Sequence, residues 1–260
     1  MLPRPFNGLI AAPFLPMHEG GEIDWATLER YMDRLAGEGA DGIAMNMDAS
    51  EVIALTEEEQ DRVVALCRSV IGGRTAFLSG LVAGSTRAAA AKAERFARAG
   101  VDGFAVFPPF PTFSGAPVPG EMIVRFHRAA AGAGKPIVCF QFPTGWGPDY
   151  TPEILARMGE IDELVAIKEA SFDVGQTLST IEAAAALPRP IGVLTGSDTF
   201  IFEALTMGCT GALIGFAGSF TRELVAMNGA VQRGDLASGR AIWARLGPVA
   251  RACWRLPIRD

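Results

Sequence analysis

Eight short apolar runs recur along the chain: "GLIAAPF" from Gly8, "GIAMN" from Gly42, "TAFLSGL" from Thr75, "GFAVFPP" from Gly103, "PIVCFQF" from Pro136, "LVAIKEA" from Leu164, "IGVLTGS" from Ile191 and "GALIGF" from Gly211. Most are apolar at nearly every position rather than at alternate ones. That is the pattern of a parallel strand buried on both faces. The segments between them carry helix punctuation. "TEEE" at Thr56 to Glu59 reads as a capping box, and "TPE" from Thr151 places threonine at an N-cap with proline in the first helical turn. Three junctions, "AGEGADGIAM", "ARAGVDGFAV" and "TMGCTGALI", end a helix with glycine and re-enter a strand through a second glycine. Eight strand–helix units predict an α/β fold, a (β/α)8 TIM barrel. A doubly wound open sheet is disfavoured by the even count and by the lack of GxGxxG after the first strand.

A further helix is predicted from Leu236 to Cys253, ahead of "RLPIRD". The expected division is a barrel over residues 1–233 and the beginning of a C-terminal helical region over 234–260. A proline after a helix usually leads into another element, so that region is expected to be incomplete here.

A length of 260 residues suits one such barrel, and 49% apolar against 20% charged residues is enough for a large core. The net charge of −6 disfavours nucleic acid or an anionic membrane surface as a partner. No apolar run reaches the length of a membrane span. The opening "MLPRPFNGLIAAPF" has prolines in its short apolar stretch, which fits a first strand better than a signal peptide. Cys67, Cys139, Cys209 and Cys253 are far apart with no metal-ligand spacing, and read as reduced thiols of a cytoplasmic protein. With only His18 and His127 available, a histidine metal site or a Ser-His-Asp triad has little support, and no metal is expected.

The chemistry gathers at one amine. The chain has three lysines, Lys92, Lys135 and Lys168, against twenty arginines, and Lys168 stands inside the apolar sixth run. Strand alternation places Leu164, Ala166 and Lys168 on one face, with small Ala166 leaving room for the long side chain. Catalytic groups of such barrels lie at the C-terminal ends of strands, where Lys168 is predicted to be. An ammonium in an apolar site loses hydration, its pKa falls, and the neutral amine can attack a ketone to give a Schiff base. Arginine stays charged and cannot. The competing reading is a lysine that snorkels to solvent or pairs with a carboxylate.

From about Gly8 onward the chain resembles the dihydrodipicolinate synthase and N-acetylneuraminate lyase family of class I aldolases. The resemblance is carried by "GLIAAPFLPMHEGGEIDWATLERYMDRLAGEGADGIAMN", "LTEEE", "AGVDGFAVFPP", "VAIKEAS", "TGSD" and "MGCTGALIG". It implies that Lys168 forms an imine with pyruvate or another 2-oxo acid, that no organic cofactor is required because the lysine supplies the electron sink, and that the chain assembles as a homodimer or homotetramer.

Several family positions are changed. Where the family has Gly-Thr-Thr-Gly-Glu after the second strand, this chain has Met47-Asp48-Ala49-Ser50-Glu51, so both hydroxyls that would hold a carboxylate are gone. Asp48 beside a bound carboxylate would cost on the order of several kcal/mol at an effective dielectric of about 20. It is therefore protonated, turned away or facing a different substrate, unless it is simply a loop residue bonded to its own backbone. The family's proton-shuttling tyrosine is replaced by Phe140. Its carboxylate-binding arginine has no counterpart in Thr144-Gly145-Trp146-Gly147. Of the two tyrosines, Tyr31 and Tyr150, the second follows strand five and is the candidate replacement shuttle, or else a loop residue packed on Trp146.

The residues expected to line the substrate site are Asp48, Ala49, Phe140, Trp146 and Leu213, with Lys168 and Tyr150 catalytic. Ser79, Thr195, Ser197 and Asp198 also fall at the predicted top face, Asp198 reading first as an N-cap for "TFIFEAL". The loop over residues 107–120 carries Phe107, Phe110 and Phe113, which suit a pocket rim or a subunit interface. The leading expectation is a Schiff-base lyase joining or cleaving a C–C bond next to a 2-oxo acid, with an apolar or aromatic aldehyde half. Standard dihydrodipicolinate synthesis is disfavoured. A dehydratase of a deoxy-2-oxo acid using the same imine, and a non-catalytic ligand-binding relative, are the alternatives.

Overall fold

The computed structural model describes residues 2–109, 118–143 and 145–254. Its eight strands are β1 (Gly8–Ala11), β2 (Gly42–Met45), β3 (Ala76–Leu81), β4 (Gly103–Val106), β5 (Ile137–Gln141), β6 (Leu164–Glu169), β7 (Gly192–Thr195) and β8 (Gly211–Ile214). They close in sequence order into a barrel. β1 pairs in parallel with β8 from Gly8–Gly211 to Ala11–Ile214. The helices around it are α1 (Trp25–Ala36), α2 (Glu57–Ile71), α3 (Thr86–Arg98), α4 (Gly120–Ala131), α5 (Pro152–Met158), α6 (Val174–Ala185), α7 (Ile201–Met207) and α8 (Thr221–Gln232). A ninth, α9 (Leu236–Cys253), follows the barrel. Among the described residues no helix is long and apolar enough to cross a membrane.

The near-continuous apolar runs are explained by two separate cores. One lies between strands and helices and takes Leu9, Ile43, Phe77, Phe104, Ile137 and Ile167. The other fills the barrel with Ile10, Ala44, Leu78, Ala105, Val138 and Ala166. Neighbouring residues of one strand thus alternate between two dry environments. Each fully buried large side chain contributes about 2 kcal/mol, which lets the scaffold offset an energetically unfavourable group at its mouth. At the bottom, Leu2 and Phe6 close the barrel. The Phe6 amide donates to the Val165 carbonyl (3.0 Å), and the Arg4 guanidinium donates to the Ile161 and Arg189 carbonyls, both at 2.8 Å.

The helix punctuation holds. Thr56 and Glu59 form the reciprocal capping box of α2, and Thr151 caps α5 with Pro152 in its first turn. At the end of α7, Gly208 has φ +120°, open to glycine and strained for other residues. Gly211, the second glycine of that junction, begins β8 where a Cβ would lie 1.9 Å from the Gly8 carbonyl oxygen.

One strand departs from simple alternation. Ile137 pairs with Leu164, but Val138 pairs with Ala166, so β6 carries an extra residue at Val165. The bulge turns Leu164 out to the helix layer and Val165 in. Leu164 therefore does not share the inward face with Ala166 and Lys168, as strict alternation predicts.

α9 is capped by Asp235, whose carboxylate accepts the Ser238 amide (3.1 Å). It buries Trp243, Leu246 and Ala250, and the Trp243 indole donates to Glu203 Oε1 of α7 (3.1 Å). This packing fixes where the helix delivers Trp254.

Candidate active site at the barrel mouth

Lys168 lies one residue before the end of β6, between Phe140 of β5 and Leu194 of β7 in the sheet register. All three point inward. The lysine is only 8% exposed, and its Nζ stands 3.8 Å from the centre of the Phe140 ring. Its stem runs along the bare backbone of Gly196, where a Cβ would come within 2.8 Å of Lys168 Cε. Among the described residues no carboxylate forms an ion pair with it. Burial lowers its pKa from 10.5 to about 8, against the attraction of Asp198 and then Asp48. At pH 7 roughly one molecule in ten then carries the neutral amine. The ring face partly offsets the lost hydration of the ammonium.

Three phenylalanines form the wall beside it. Phe107, Phe140 and Phe142 meet edge to face, with centroids 4.7 to 5.7 Å apart. Phe107 is buried, whereas Phe110 and Phe113 lie outside the described residues, as does Thr144. Leu213 is wholly buried within the barrel, paired with Ile10 of β1. Across the mouth, Asp48 opens a short 3-10 turn, Asp48–Ser50. It is exposed, and its charge acts on Lys168. Ala49 packs over Gly215 at the end of β8. Ser50 Oγ accepts the Met47 amide (2.8 Å), and the Met47 side chain fills the barrel.

Asp198 is buried at the same mouth, but it caps no helix. The N-cap position of α7 belongs to Phe200, and Asp198 Oδ1 instead accepts the Phe216 amide across the loop after β8 (2.9 Å). Burial pushes its carboxyl up, opposed by the Phe216 amide, by Lys168 and by the nearby Trp254 indole. The Trp254 ring also packs on Phe172, with centroids 4.7 Å apart.

Two expected site residues are elsewhere. Tyr150 is buried in the layer between barrel and helices, its hydroxyl 3.2 Å from His127 Nε2 of α4. The chain returning from β5 toward α5 turns it away from the barrel. Its amide is held by Gln141 Oε1 (2.8 Å), and burial raises its pKa well above 10. It cannot shuttle protons at Lys168. Trp146 is 72% exposed and is not a wall of the pocket within a single chain. Ser79 is also turned outward, accepting from Asn46 Nδ2 (3.1 Å). Thr195 Oγ1 takes the Ser197 amide (3.2 Å).

Gly196, Phe142, Phe172 and Trp254 are site residues that strand reading does not find. Gly196 had a usable signal, as a glycine one position beyond β7 beside a long side chain. Trp254 had none, because 85 positions separate it from Glu169, the end of β6.

A family model for the dihydrodipicolinate synthetase family matches residues 5–257. The chain belongs to that family. Its relatives include a 4-hydroxy-tetrahydrodipicolinate synthase of Methanospirillum hungatei, 28% identical over 256 residues, covering 95% of this chain and 84% of the relative. Among solved structures, dihydrodipicolinate synthase from Aquifex aeolicus superposes with a TM-score of 0.88 at 21% identity, covering 98% of this chain and 85% of that one. The Acinetobacter baumannii dihydrodipicolinate synthase, solved with pyruvate, superposes at 0.87 with 23% identity, covering 97% and 85%. The two structures share the barrel of this family member; their identity is too low to carry the site chemistry across.

Proposed function

We propose that the chain is a class I, Schiff-base-forming carbon–carbon lyase acting on a 2-oxo acid such as pyruvate or its aldol adducts. The observation that carries this reading is the Lys168 amine, buried at the C-terminal end of a barrel strand with no ion-pair partner among the described residues and its pKa lowered to about 8. Such an amine is nucleophilic near neutrality. Condensation with the ketone expels water and leaves an iminium that accepts electrons from the adjacent C–C or C–H bond. Pyruvate bound in the Acinetobacter baumannii relative supports the choice of oxo acid.

The aldehyde half is read as apolar or aromatic. Phe107, Phe140 and Phe142 offer it ring edges and faces, and among the described residues the wall has no arginine to pair with a second carboxylate. That departure separates the reading from dihydrodipicolinate synthesis. We further read the active form as a homodimer or homotetramer. Exposed Ile53 and Trp146 in loops near the mouth are suited to burial by a second copy.

The test is incubation with pyruvate and borohydride followed by peptide mass mapping. The expected result is one reduced adduct, on Lys168. Absence of an adduct with pyruvate and with a panel of larger 2-oxo acids would overturn the proposal.

A further inference from the structure

We infer that Asp198 is the base that moves protons at the Lys168-bound substrate, held in place by the Phe216 amide. This rests on the Schiff-base reading of Lys168. The family's tyrosine position is Phe140, which has no proton to give, and Tyr150 is sealed outside the barrel with His127. Asp198 is buried two positions beyond Gly196, whose backbone lies against the Lys168 stem, and among the described residues it forms no ion pair with the lysine. One oxygen accepts the Phe216 amide at 2.9 Å. A carboxylate has about four lone-pair sites, so this donor orients it and leaves acceptor capacity toward the cavity. Burial also pushes its carboxyl up, which strengthens it as a base.

The steps balance. The neutral Lys168 amine, the ketone and one proton from solvent give an iminium and water. Asp198 carboxylate then takes a proton from C3, the C3–H electron pair becomes the C2–C3 double bond, and the iminium π pair moves to nitrogen. This leaves a neutral enamine and a protonated Asp198. The enamine C3 attacks the aldehyde carbon, and the aldehyde oxygen takes the proton back from Asp198. Cleavage is the reverse, with Asp198 removing the hydroxyl proton.

Two readouts separate this inference from the reading beneath it. Borohydride trapping with pyruvate reports the imine; exchange of the pyruvate methyl protons in D2O, followed by NMR, reports the base. In Asp198→Asn, trapping on Lys168 is expected to stay within a few-fold of wild type while exchange falls roughly 100- to 1000-fold. In Asp198→Ala, added formate is expected to restore part of the exchange. Wild-type exchange rates in Asp198→Asn with trapping intact would overturn Asp198 as the base. No trapping in wild type would remove the imine itself, and this inference with it.

Discussion

Lys92 and Lys168 are buried to nearly the same extent, 6% and 8% exposed, in opposite surroundings. Lys92 projects from α3 toward α2, where Nζ meets Glu57 Oε1 at 2.6 Å and donates to Gln60 Oε1 at 3.0 Å. Gln60 in turn donates to the Val52 and Leu55 carbonyls, and Arg95 joins Glu57 to Asp61. The cation is one member of a network that clamps two helices and the loop ahead of α2. Lys168 has an aromatic face and two carboxylates acting from a distance. Burial with a partner makes a lysine structural; burial without one makes it reactive.

The contrast can be broken most directly at Lys168 itself. Lys168→Arg keeps the charge but cannot form an imine, and is expected to abolish the borohydride adduct and lower turnover at least ~1000-fold, the loss typical of removing a covalent nucleophile. An adduct persisting on another lysine would remove the distinction.

Stability should separate the pair by sign. A folded pKa of about 8 against an unfolded 10.5 means that the native state holds its proton less tightly. Below pH 8 both states are protonated and folding carries the full penalty, roughly 3 kcal/mol. The penalty fades as pH rises from about 8 to 10.5. Lys168→Met is therefore expected to raise the urea midpoint at pH 7, with the gain shrinking above pH 8. Lys92→Met leaves Gln60 Oε1 without its donor and Glu57 with Arg95 alone, and is expected to cost about 1–3 kcal/mol at pH 7. Denaturation curves showing the same sign for both would end the comparison.

A geometric test is Gly196→Ala. Its Cβ would lie 2.6 Å from Ala170 Cβ and 2.8 Å from Lys168 Cε. Overpacking of this kind costs about 1–3 kcal/mol, and displacing the amine is expected to slow imine formation roughly 10- to 100-fold, read by trapping over time. The smallest expected effect is that of Phe140→Leu. Losing the ring face removes about 1–2 kcal/mol of stabilisation from the ammonium. The pH midpoint for labelling Lys168 with an amine reagent should then fall by roughly one unit.

Strands and helix ends were legible because their signals are local. A parallel strand between two dry layers must be apolar almost throughout, and Thr56, Thr151 and Gly208 act within one helical turn. Lys168 was legible for the same reason, as the one cation of an apolar run. What escaped local reading was side-chain direction. A single extra residue at Val165 reversed Leu164. The turn after β5 carried Tyr150 to the outer layer, and Asp198 took its partner from a loop 18 residues away instead of from its own helix.

The amino-acid order by itself determined an eight-unit barrel and the position of one amine at a strand end, since burial on two faces and strand period act between neighbours. The tertiary structure alone decided which polar groups share the mouth with that amine. Phe140 comes to lie beside Lys168 through strand register, and Trp254 reaches Asp198 because α9 packs against α7. Those distances depend on how many separately folded pieces add up, which no short stretch of chain encodes.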